Sequence, residues 1–418
     1  DAYRRFIKPS IERDLRNELS EKAETQAISV FGDNLRNLLL QAPLKNRVVM
    51  GFDPAYRTGC KLGIVDETGK VLNVDTIYPH APASKERQAG ALKTFIDLIK
   101  KYKVEMVAIG NGTASRESEQ FVADALKSLD EKVYYLIVNE AGASVYSASE
   151  IAREEFPDLQ VEQRSAISIA RRVQDPLAEL VKIDPKAVGV GQYQHDVSQK
   201  ELENTLGFVV ETAVNQVGVN LNTASSKLLE YVSGLTKTTA KNIVAMRESE
   251  GIFTSRQALK SVPRLGPKSY EQAIGFLRIP ESENVFDNTP IHPESYDVAY
   301  KILKVFGLDQ KDLGEVDLKE KLQDKSVDVE GLGVGKATFD DIVEALLKPG
   351  RDFRDELSAP LLRSDVLELE DLKQGMELQG TVRNVVDFGA FVDLGLKQDG
   401  FVHISKLSPD FVKHPSDV

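Results

Sequence analysis

Residues 47–77 have the sequence RVVMGFDPAYRTGCKLGIVDETGKVLNVDTI, which contains three short apolar runs. The first run is Val48–Phe52, and the other two are Leu62–Val65 and Val71–Ile77. Turn-forming residues at 66–69 separate the last two runs, so these runs are predicted to pair as a β-hairpin. The segment therefore predicts the beginning of a sheet.

The chain downstream of this hairpin alternates between helical and strand patterns. The predicted elements are helices over 85–101, 117–129, 141–155 and 164–182 and strands over 104–109 and 133–138. Three strands followed by alternating helix and strand indicate a mixed sheet with helices on its faces. This order is also the ribonuclease-H-like topology.

Changes of pattern along the 418 residues predict a multidomain protein that combines α/β, α-helical and small β-barrel parts. The predicted segments are a helical segment over 1–45, an α/β domain over 46–198, a helical domain over 199–280, an acidic helical connector over 281–371 and an incomplete β-barrel over 372–418. Glycines that punctuate short alternating runs predict the barrel. Both ends of the sequence resemble the interior of a longer protein.

The composition excludes several classes of protein. A hydrophobic content of 41% with 28% charged residues excludes a wholly disordered chain. Cys60 is the single cysteine, so an internal disulfide framework and a cysteine-rich zinc site are excluded. We find no leader and no apolar run of the roughly 18 residues that span a bilayer, so a cytoplasmic location away from membranes is predicted.

Charge is unevenly distributed in a chain whose net charge is −12. Residues 221–279 contain 9 Lys/Arg and 4 Asp/Glu, whereas residues 281–371 contain 11 Lys/Arg and 23 Asp/Glu. A basic island in an acidic chain indicates a confined surface for a polyanion, and a solvated helical face is the alternative.

Three carboxylates of the α/β domain are candidate metal ligands and catalytic residues. Asp53 and Glu140 each follow a predicted strand at the carboxyl edge of the sheet, where open α/β sheets bind ligands. Asp175 lies on the last helix, which we expect to pack back near both. Together they could hold Mg²⁺ or Mn²⁺ for phosphodiester hydrolysis. Alternatively, they cap helices or face solvent.

The surroundings of these residues resemble the YqgF and RuvC branch of ribonuclease-H-like nucleases. The resemblance rests on Gly51–Pro54 with Arg57–Gly59 and on Asn139–Ala141, and it implies metal positions at Asp53, Glu140 and Asp175. Two acidic positions of the RuvC-like resolvases are occupied by Gly110 and Ala178. Metal binding and catalysis are therefore expected to be weakened or lost.

Two stretches of the basic island repeat one pattern, VSGLTKTTA at 232–240 and VPRLGPKS at 262–269. Each resembles the helix-hairpin-helix motif, in which a tight hairpin offers the first N–H groups of a helix to a backbone phosphate. The candidate nucleic-acid-binding residues here are Gly234, Lys237, Lys241, Arg264, Gly266 and Lys268. Because Thr236 replaces the second glycine, the first copy is expected to bind more weakly. A purely architectural duplication is the alternative.

Residues 331–336, in the acidic segment, predict a helix–turn–helix junction.

The C-terminal segment carries GTV at 380–382, VDFGAFVD at 386–393 and GFVHIS at 400–405. This resembles the RNA-binding OB-fold named after ribosomal protein S1. The resemblance places Phe388, Phe391 and His403 at exposed ring positions, where flat rings stack unpaired bases with little sequence preference. The alternative is that these rings belong to the barrel core.

The order of these parts along the chain resembles the bacterial Tex family of transcription accessory proteins. The resemblance extends to the runs at 147–150, 175–186 and 189–197. It implies binding of RNA and DNA without a required cofactor, with RNA polymerase or the ribosome as a partner. A metal-dependent nuclease and a protein–protein adaptor remain the alternative functions.

Overall fold

The computed structural model describes residues 1–313, 333–357, 374–375, 378–394, 399–408 and 412–418. The chain divides into two units, one formed by residues 1–42 and 176–358 and the other by residues 43–175 and 359–418. In the described ranges, no helix has the length and apolar character needed to cross a membrane.

The helices and strands are numbered in chain order. The α-helices are α1 (Lys8–Leu39), α2 (Lys85–Tyr102), α3 (Ser115–Leu126), α4 (Ala143–Ala148), α5 (Glu150–Glu155), α6 (Val161–Gln174), α7 (Pro176–Leu180), α8 (Gln199–Val217), α9 (Ser226–Glu230), α10 (Lys237–Glu250), α11 (Pro267–Ile274), α12 (Tyr296–Val305) and α13 (Lys336–Leu347). The strands are β1 (Val49–Asp53), β2 (Cys60–Val65), β3 (Val71–Ile77), β4 (Met106–Gly110), β5 (Tyr134–Val138), β6 (Val219–Asn220), β7 (Leu277–Arg278), β8 (Thr381–Val386), β9 (Gly389–Asp393) and β10 (Gly400–His403).

The predicted mixed sheet is confirmed. Its strand order is β3-β2-β1-β4-β5, with β1, β2 and β3 antiparallel and with β4 and β5 parallel to β1. The predicted hairpin joins β2 to β3, and Gly69 takes a φ of 84° in its turn, a conformation that glycine adopts without steric cost. Asp53 is the last residue of β1, so its carboxylate stands at the carboxyl edge of the sheet.

Helix α6 lies directly on β1 and β2 because both strands carry a glycine under it. A Cβ atom on Gly51 would stand 1.9 Å from the Ala166 carbonyl oxygen, and one on Gly63 would stand 2.8 Å from the Ile167 nitrogen. On the other face of the sheet, Phe52 packs with Phe95 of α2 in a second buried cluster. The sheet is therefore the middle layer of three.

The N-terminal helix α1 is buried only over its second half. Phe31 and Leu35 are buried there, and Gly32 allows close contact with Thr205 and Val209 of α8. The Phe31 ring lies against Gly191, where a Cβ atom would stand 2.1 Å from the ring. This contact fixes the loop before α8 onto α1.

The helical region after α8 is organised around a buried arginine. Arg256 is 1% exposed, and its guanidinium donates to the carbonyl oxygens of Leu277, Thr289 and Ile291 and to the Tyr296 hydroxyl. Its backbone N–H donates to Asp287. A buried charge is tolerated only with such a complete set of partners. Arg256 lies between the two predicted hairpins, in the hairpin region at residues 232–269. It therefore ties this region to the residues that precede and begin α12.

The segment predicted as an acidic helical connector contains a core of its own. Ile302 and Leu303 of α12 and Ile342 and Leu346 of α13 are buried together with Phe286. Residues 333–335 form the predicted turn, in which Gly333 has a φ of 75°. The acidic side chains that the structure describes in this segment thus belong to a packed helical region.

The C-terminal sheet has the strand order β10-β9-β8, and its neighbouring strands are antiparallel. Residues 395–398, between β9 and β10, lie outside the described ranges. Ala390 is buried, whereas Phe388 and Phe401 are 56% and 44% exposed. This sheet therefore presents aromatic side chains on its surface.

Candidate nucleic-acid interface

Four rings form a cluster on the C-terminal sheet, with Phe401 at its centre. The ring centroid of Phe401 lies 5.0 Å from that of Phe391, 5.6 Å from that of Phe388 and 6.4 Å from that of His403. The structure thus brings the three predicted ring positions together. Because Phe388, Phe401 and His403 are exposed, flat apolar surface is available to a base.

Phe401 was not among the ring positions predicted to stack bases. It lies opposite Phe391 in the antiparallel register of β9 and β10, so the two side chains share one face of the sheet. Its position in the cluster follows from the pairing of β9 with β10. The alternation of side chains within a single strand does not reveal that pairing.

The backbone beneath the rings fixes their positions. A Cβ atom on Gly389 would stand 2.6 Å from the Phe401 ring and 2.2 Å from the Val402 carbonyl oxygen. His403 Nδ1 accepts the N–H of Ser405, so the proton of the neutral imidazole is on Nε2. The cluster therefore combines aromatic faces with one ring donor.

The two predicted hairpins have the same backbone geometry. Gly234 and Arg264 have φ values of 87° and 66°, and each precedes by two residues the N-cap residue of the following helix, Thr236 for α10 and Gly266 for α11. Gly333 has the same relation to Gly335, the N-cap of α13. The pattern thus occurs three times in the described residues, once more than predicted.

The helix starts differ in how their N–H groups are used. In α10, the Thr239 N–H donates to the Thr236 hydroxyl, and the Thr236 N–H donates to the Thr239 hydroxyl. At α11, no side chain caps the first turn after Gly266. Because Pro267 has no N–H, the N–H groups that α11 offers to an anion begin at Lys268, and they carry no side-chain cap, whereas the Thr239 N–H of α10 is occupied.

Basic side chains surround these helix starts. Lys237, Lys241, Arg264 and Lys268 are all exposed. The hairpins also contact each other, since a Cβ atom on Gly234 would stand 2.7 Å from Gln272 Cβ of α11 and since Asn242 donates to the Pro263 carbonyl oxygen. The four cations therefore belong to one packed element, where charge-assisted contacts to phosphate are favoured.

The carboxyl edge of the five-stranded sheet brings Asp53 and Glu140 near each other. Burial raises the pKa of Asp53, against a hydrogen bond from the Ser165 hydroxyl and the charge of Lys61. Burial also raises the pKa of Glu140, and the charge of Asp53 adds to this increase. Two carboxylates that disfavour each other's charge are thus adjacent at the predicted edge.

Gly110 makes room for Glu140. A Cβ atom on Gly110 would stand 2.1 Å from Glu140 Oε2, which is buried and accepts no hydrogen bond from the described residues. The N–H of Gly112 donates to the same carboxylate. The Glu140 carboxylate therefore fills the space that a side chain at residue 110 would need.

The expected convergence of Asp175 with these two carboxylates is wrong. Helix α6 runs antiparallel to β1, so that Ser165 near its start contacts Asp53, whereas Gln174 at its end donates to the carbonyl oxygen of Arg47, before β1. Asp175 follows Gln174 at that opposite edge of the sheet. In the part of the chain that the structure describes, no three acidic, histidine or cysteine side chains are arranged to hold a metal ion.

The remaining pair does not fit the divalent ion that the family resemblance implies. Lys61 is the direct partner of Asp53 in the register of β1 and β2, so an ammonium group already lies on the same face of the sheet. The third predicted ligand, Asp175, is at the opposite edge, and one oxygen of Glu140 is turned into the protein. The residues at this edge therefore support no chemical step through a metal.

Comparison with family models assigns a description to each of these regions. Residues 47–174 match the Tex protein YqgF-like domain, and residues 214–278 match the helix-hairpin-helix motif. Residues 284–354 match an HHH domain, and residues 371–418 match the S1 RNA binding domain. The HHH match covers the third hairpin.

Three curated relatives align with the whole chain. They are "Uncharacterized protein YdcI" of Bacillus subtilis, 62% identical, "Protein tex" of Bordetella pertussis, 51% identical, and "Transcriptional accessory protein Tex" of Neisseria gonorrhoeae, 48% identical. The alignments cover 100% of this chain and 58%, 52% and 54% of the respective relatives. The chain thus spans a little over half the length of these proteins.

Proposed function

Because the chain belongs to the Tex family, we propose that it is a transcription accessory protein that binds RNA and DNA with little sequence preference. The observation that carries this proposal is the ring cluster of Phe388, Phe391, Phe401 and His403. Aromatic side chains that are exposed together on a sheet offer a stacking surface for unpaired bases. Every base has a flat face, so such a surface selects single strands rather than sequences.

The packed pair of hairpins supplies the second contact, to the nucleic-acid backbone. The uncapped start of α11 offers N–H groups, and the exposed side chains of Lys268 and Arg264 add positive charge. Contacts to phosphate position a strand without reading its bases.

We further propose that the partner protein is RNA polymerase, in the cytoplasm. The names of the relatives from Bordetella and Neisseria support a role in transcription. The ribosome is the other candidate partner. An immobilised-polymerase pull-down that survives nuclease treatment would support a direct protein contact, and loss of capture after nuclease would indicate tethering through nucleic acid.

A nuclease function has less support. Gln174, the neighbour of Asp175, lies at the edge of the sheet opposite to Asp53, and Lys61 is the partner of Asp53 in the β1–β2 register. Two-ion phosphodiester hydrolysis needs a set of carboxylates that binds both ions about 3.5–4 Å apart.

The test is to incubate the chain with labelled RNA, single-stranded DNA, duplex and junction substrates in Mn²⁺ and to examine native and denaturing gels. We expect shifted but intact substrates, and we expect Phe388→Ala with Phe391→Ala to weaken single-strand binding most. Cleavage that disappears in Asp53→Asn would overturn the proposal in favour of the nuclease. An unshifted set of substrates would remove nucleic-acid binding altogether.

A further inference from the structure

Lys61 is a buried lysine at the edge of the five-stranded sheet where Asp53 ends β1. It is 6% exposed, and it lies on β2 between the buried residues Cys60 and Leu62. A lysine in a strand normally extends its ammonium group to water, because removing that charge from water is costly unless it is paired. The surroundings of this ammonium must therefore supply partners.

The partners of the Lys61 ammonium are oxygen atoms. Nζ donates to the carbonyl oxygens of Thr58 at 2.5 Å and Gly59 at 2.9 Å, and it lies 3.4 Å from a carboxylate oxygen of Glu162. Asp53 is its direct partner in the β1–β2 register. The ammonium thus contacts two carbonyl oxygens and one carboxylate, and its charge also acts on Asp53, which lies on the same face of the sheet.

This set of oxygens is of the kind that Mg²⁺, Mn²⁺ and Ca²⁺ use in proteins. The ammonium supplies one positive charge to the same carboxylates and uses its three N–H donors to satisfy the carbonyl oxygens. A divalent ion in this position would meet the like charge of Lys61 at close range. The lysine and a metal ion therefore exclude each other here.

We propose that the Lys61 ammonium is a built-in cation that takes the place of a metal ion beside Asp53, and that removing it opens a divalent-cation site. The ligands of that site are the Asp53 and Glu162 carboxylates and the carbonyl oxygens of residues 58 and 59. In the natural chain this edge of the sheet is held together by the lysine and is independent of divalent ions. The inference does not depend on nucleic-acid binding.

The experiment titrates Mn²⁺ into the chain and follows the free ion by its electron paramagnetic resonance signal. We expect the natural chain to bind no stoichiometric Mn²⁺ that depends on Asp53. Lys61→Ala should bind one Mn²⁺ per chain at least about tenfold more tightly, because a like charge has been removed from the site. The double variant Lys61→Ala with Asp53→Asn should lose that binding.

Lys70→Ala is the matched control, since it removes an exposed lysine from the turn between β2 and β3 and changes the net charge equally. It should leave Mn²⁺ binding unchanged. Tight binding by the natural chain that Asp53→Asn abolishes would overturn the proposal, and so would a Lys61→Ala chain that binds no better than Lys70→Ala. If Lys61→Ala does not fold, Lys61→Gln replaces it. If neither folds, refolding in Mn²⁺ but not in EDTA supports the site, and failure in both overturns it.

Discussion

Phe391 and Phe401 face each other across β9 and β10, with their ring centroids 5.0 Å apart. Phe401 also reaches the rings of Phe388 and His403, so it joins ring positions that are otherwise separate. If these rings stack bases, loss of the Phe401 ring should lower RNA affinity. If they only pack against one another, RNA affinity should not depend on this ring.

Phe401→Ala should weaken binding of a short oligouridine by an amount comparable to Phe388→Ala. Loss of one stacked base costs about 1–3 kcal/mol, which lowers affinity roughly 5- to 150-fold. Fluorescence anisotropy with labelled RNA measures the change. Val382→Ala is the control, since Val382 is also an exposed apolar residue of this sheet. Equal affinity of Phe401→Ala and Val382→Ala would show that stacking does not involve Phe401.

Gly389→Ala should lower RNA affinity without any change to a ring. The added methyl group meets the Phe401 ring at 2.6 Å and the Val402 carbonyl oxygen at 2.2 Å, so the ring must move. At Gly400 the nearest atom is the end of the Leu394 side chain at 3.0 Å, which can yield. Gly400→Ala is therefore the matched variant in the same anisotropy assay, and equal affinities for the two variants would contradict the steric account.

Lys268→Glu should weaken all nucleic acids alike and should reduce the salt dependence of binding. Each phosphate contact that is lost lowers the slope of log K against log salt by about 1. Lys237→Glu should have the smaller effect, because the first turn of α10 is already capped by Thr236 and Thr239. Binding that is independent of salt, or a loss limited to one sequence, would argue against backbone contacts.

Arg256→Met should destabilise the hairpin region. The substitution leaves several buried carbonyl oxygens without their partner, and breaking such a buried network costs about 3–5 kcal/mol. Amide hydrogen exchange resolved by peptide should show faster exchange over 199–305, with little change in the five-stranded sheet. Arg264→Met removes an exposed arginine and serves as the control. Unchanged protection after Arg256→Met would refute the role of this network.

His80 should make the α/β unit less stable in acid. Its Nε2 lies 2.8 Å from the buried hydroxyl of Ser118, and burial lowers its pKa, against the charge of Glu117. The unfolded chain therefore takes up a proton on His80 more readily, so this contribution is complete above about pH 6.5 and is lost as the pH falls through the folded-state pKa. Thermal unfolding at pH 8.0 and 5.5 should show a smaller pH effect in His80→Gln than in the natural chain. An equal loss in both would exclude His80 as the source.

The sheet could be predicted because its signals are local. The runs that form β2 and β3 flank a turn, and the strand β1, which ends at Asp53, is followed directly by Pro54. The direction of α6 could not be predicted, because apolar periodicity identifies the buried face of a helix and not which end lies at which edge of a sheet. For this reason the sequence pattern predicts Asp175 near Asp53, whereas the structure has Asp175 at the opposite edge of the sheet.

The candidate sites show the same division. The hairpins can be recognised because a glycine, a basic residue and a new helix follow in fixed order. The roles of Phe401 and Lys61 depend instead on strand pairing, with Phe391 in one case and with Asp53 in the other. A lysine within a strand gives no sequence signal that its ammonium is enclosed by carbonyl oxygens.

The contact of Gly234 with α11 has a mechanical consequence. Because the first hairpin packs directly against the helix that the second hairpin begins, these contacts restrict changes in the distance between the two turns. The two hairpins would then favour strands with a particular spacing of phosphates. Nucleic acids would be sorted by whether consecutive phosphates match that spacing, so a stiff duplex and a pliable single strand of the same sequence would be held differently.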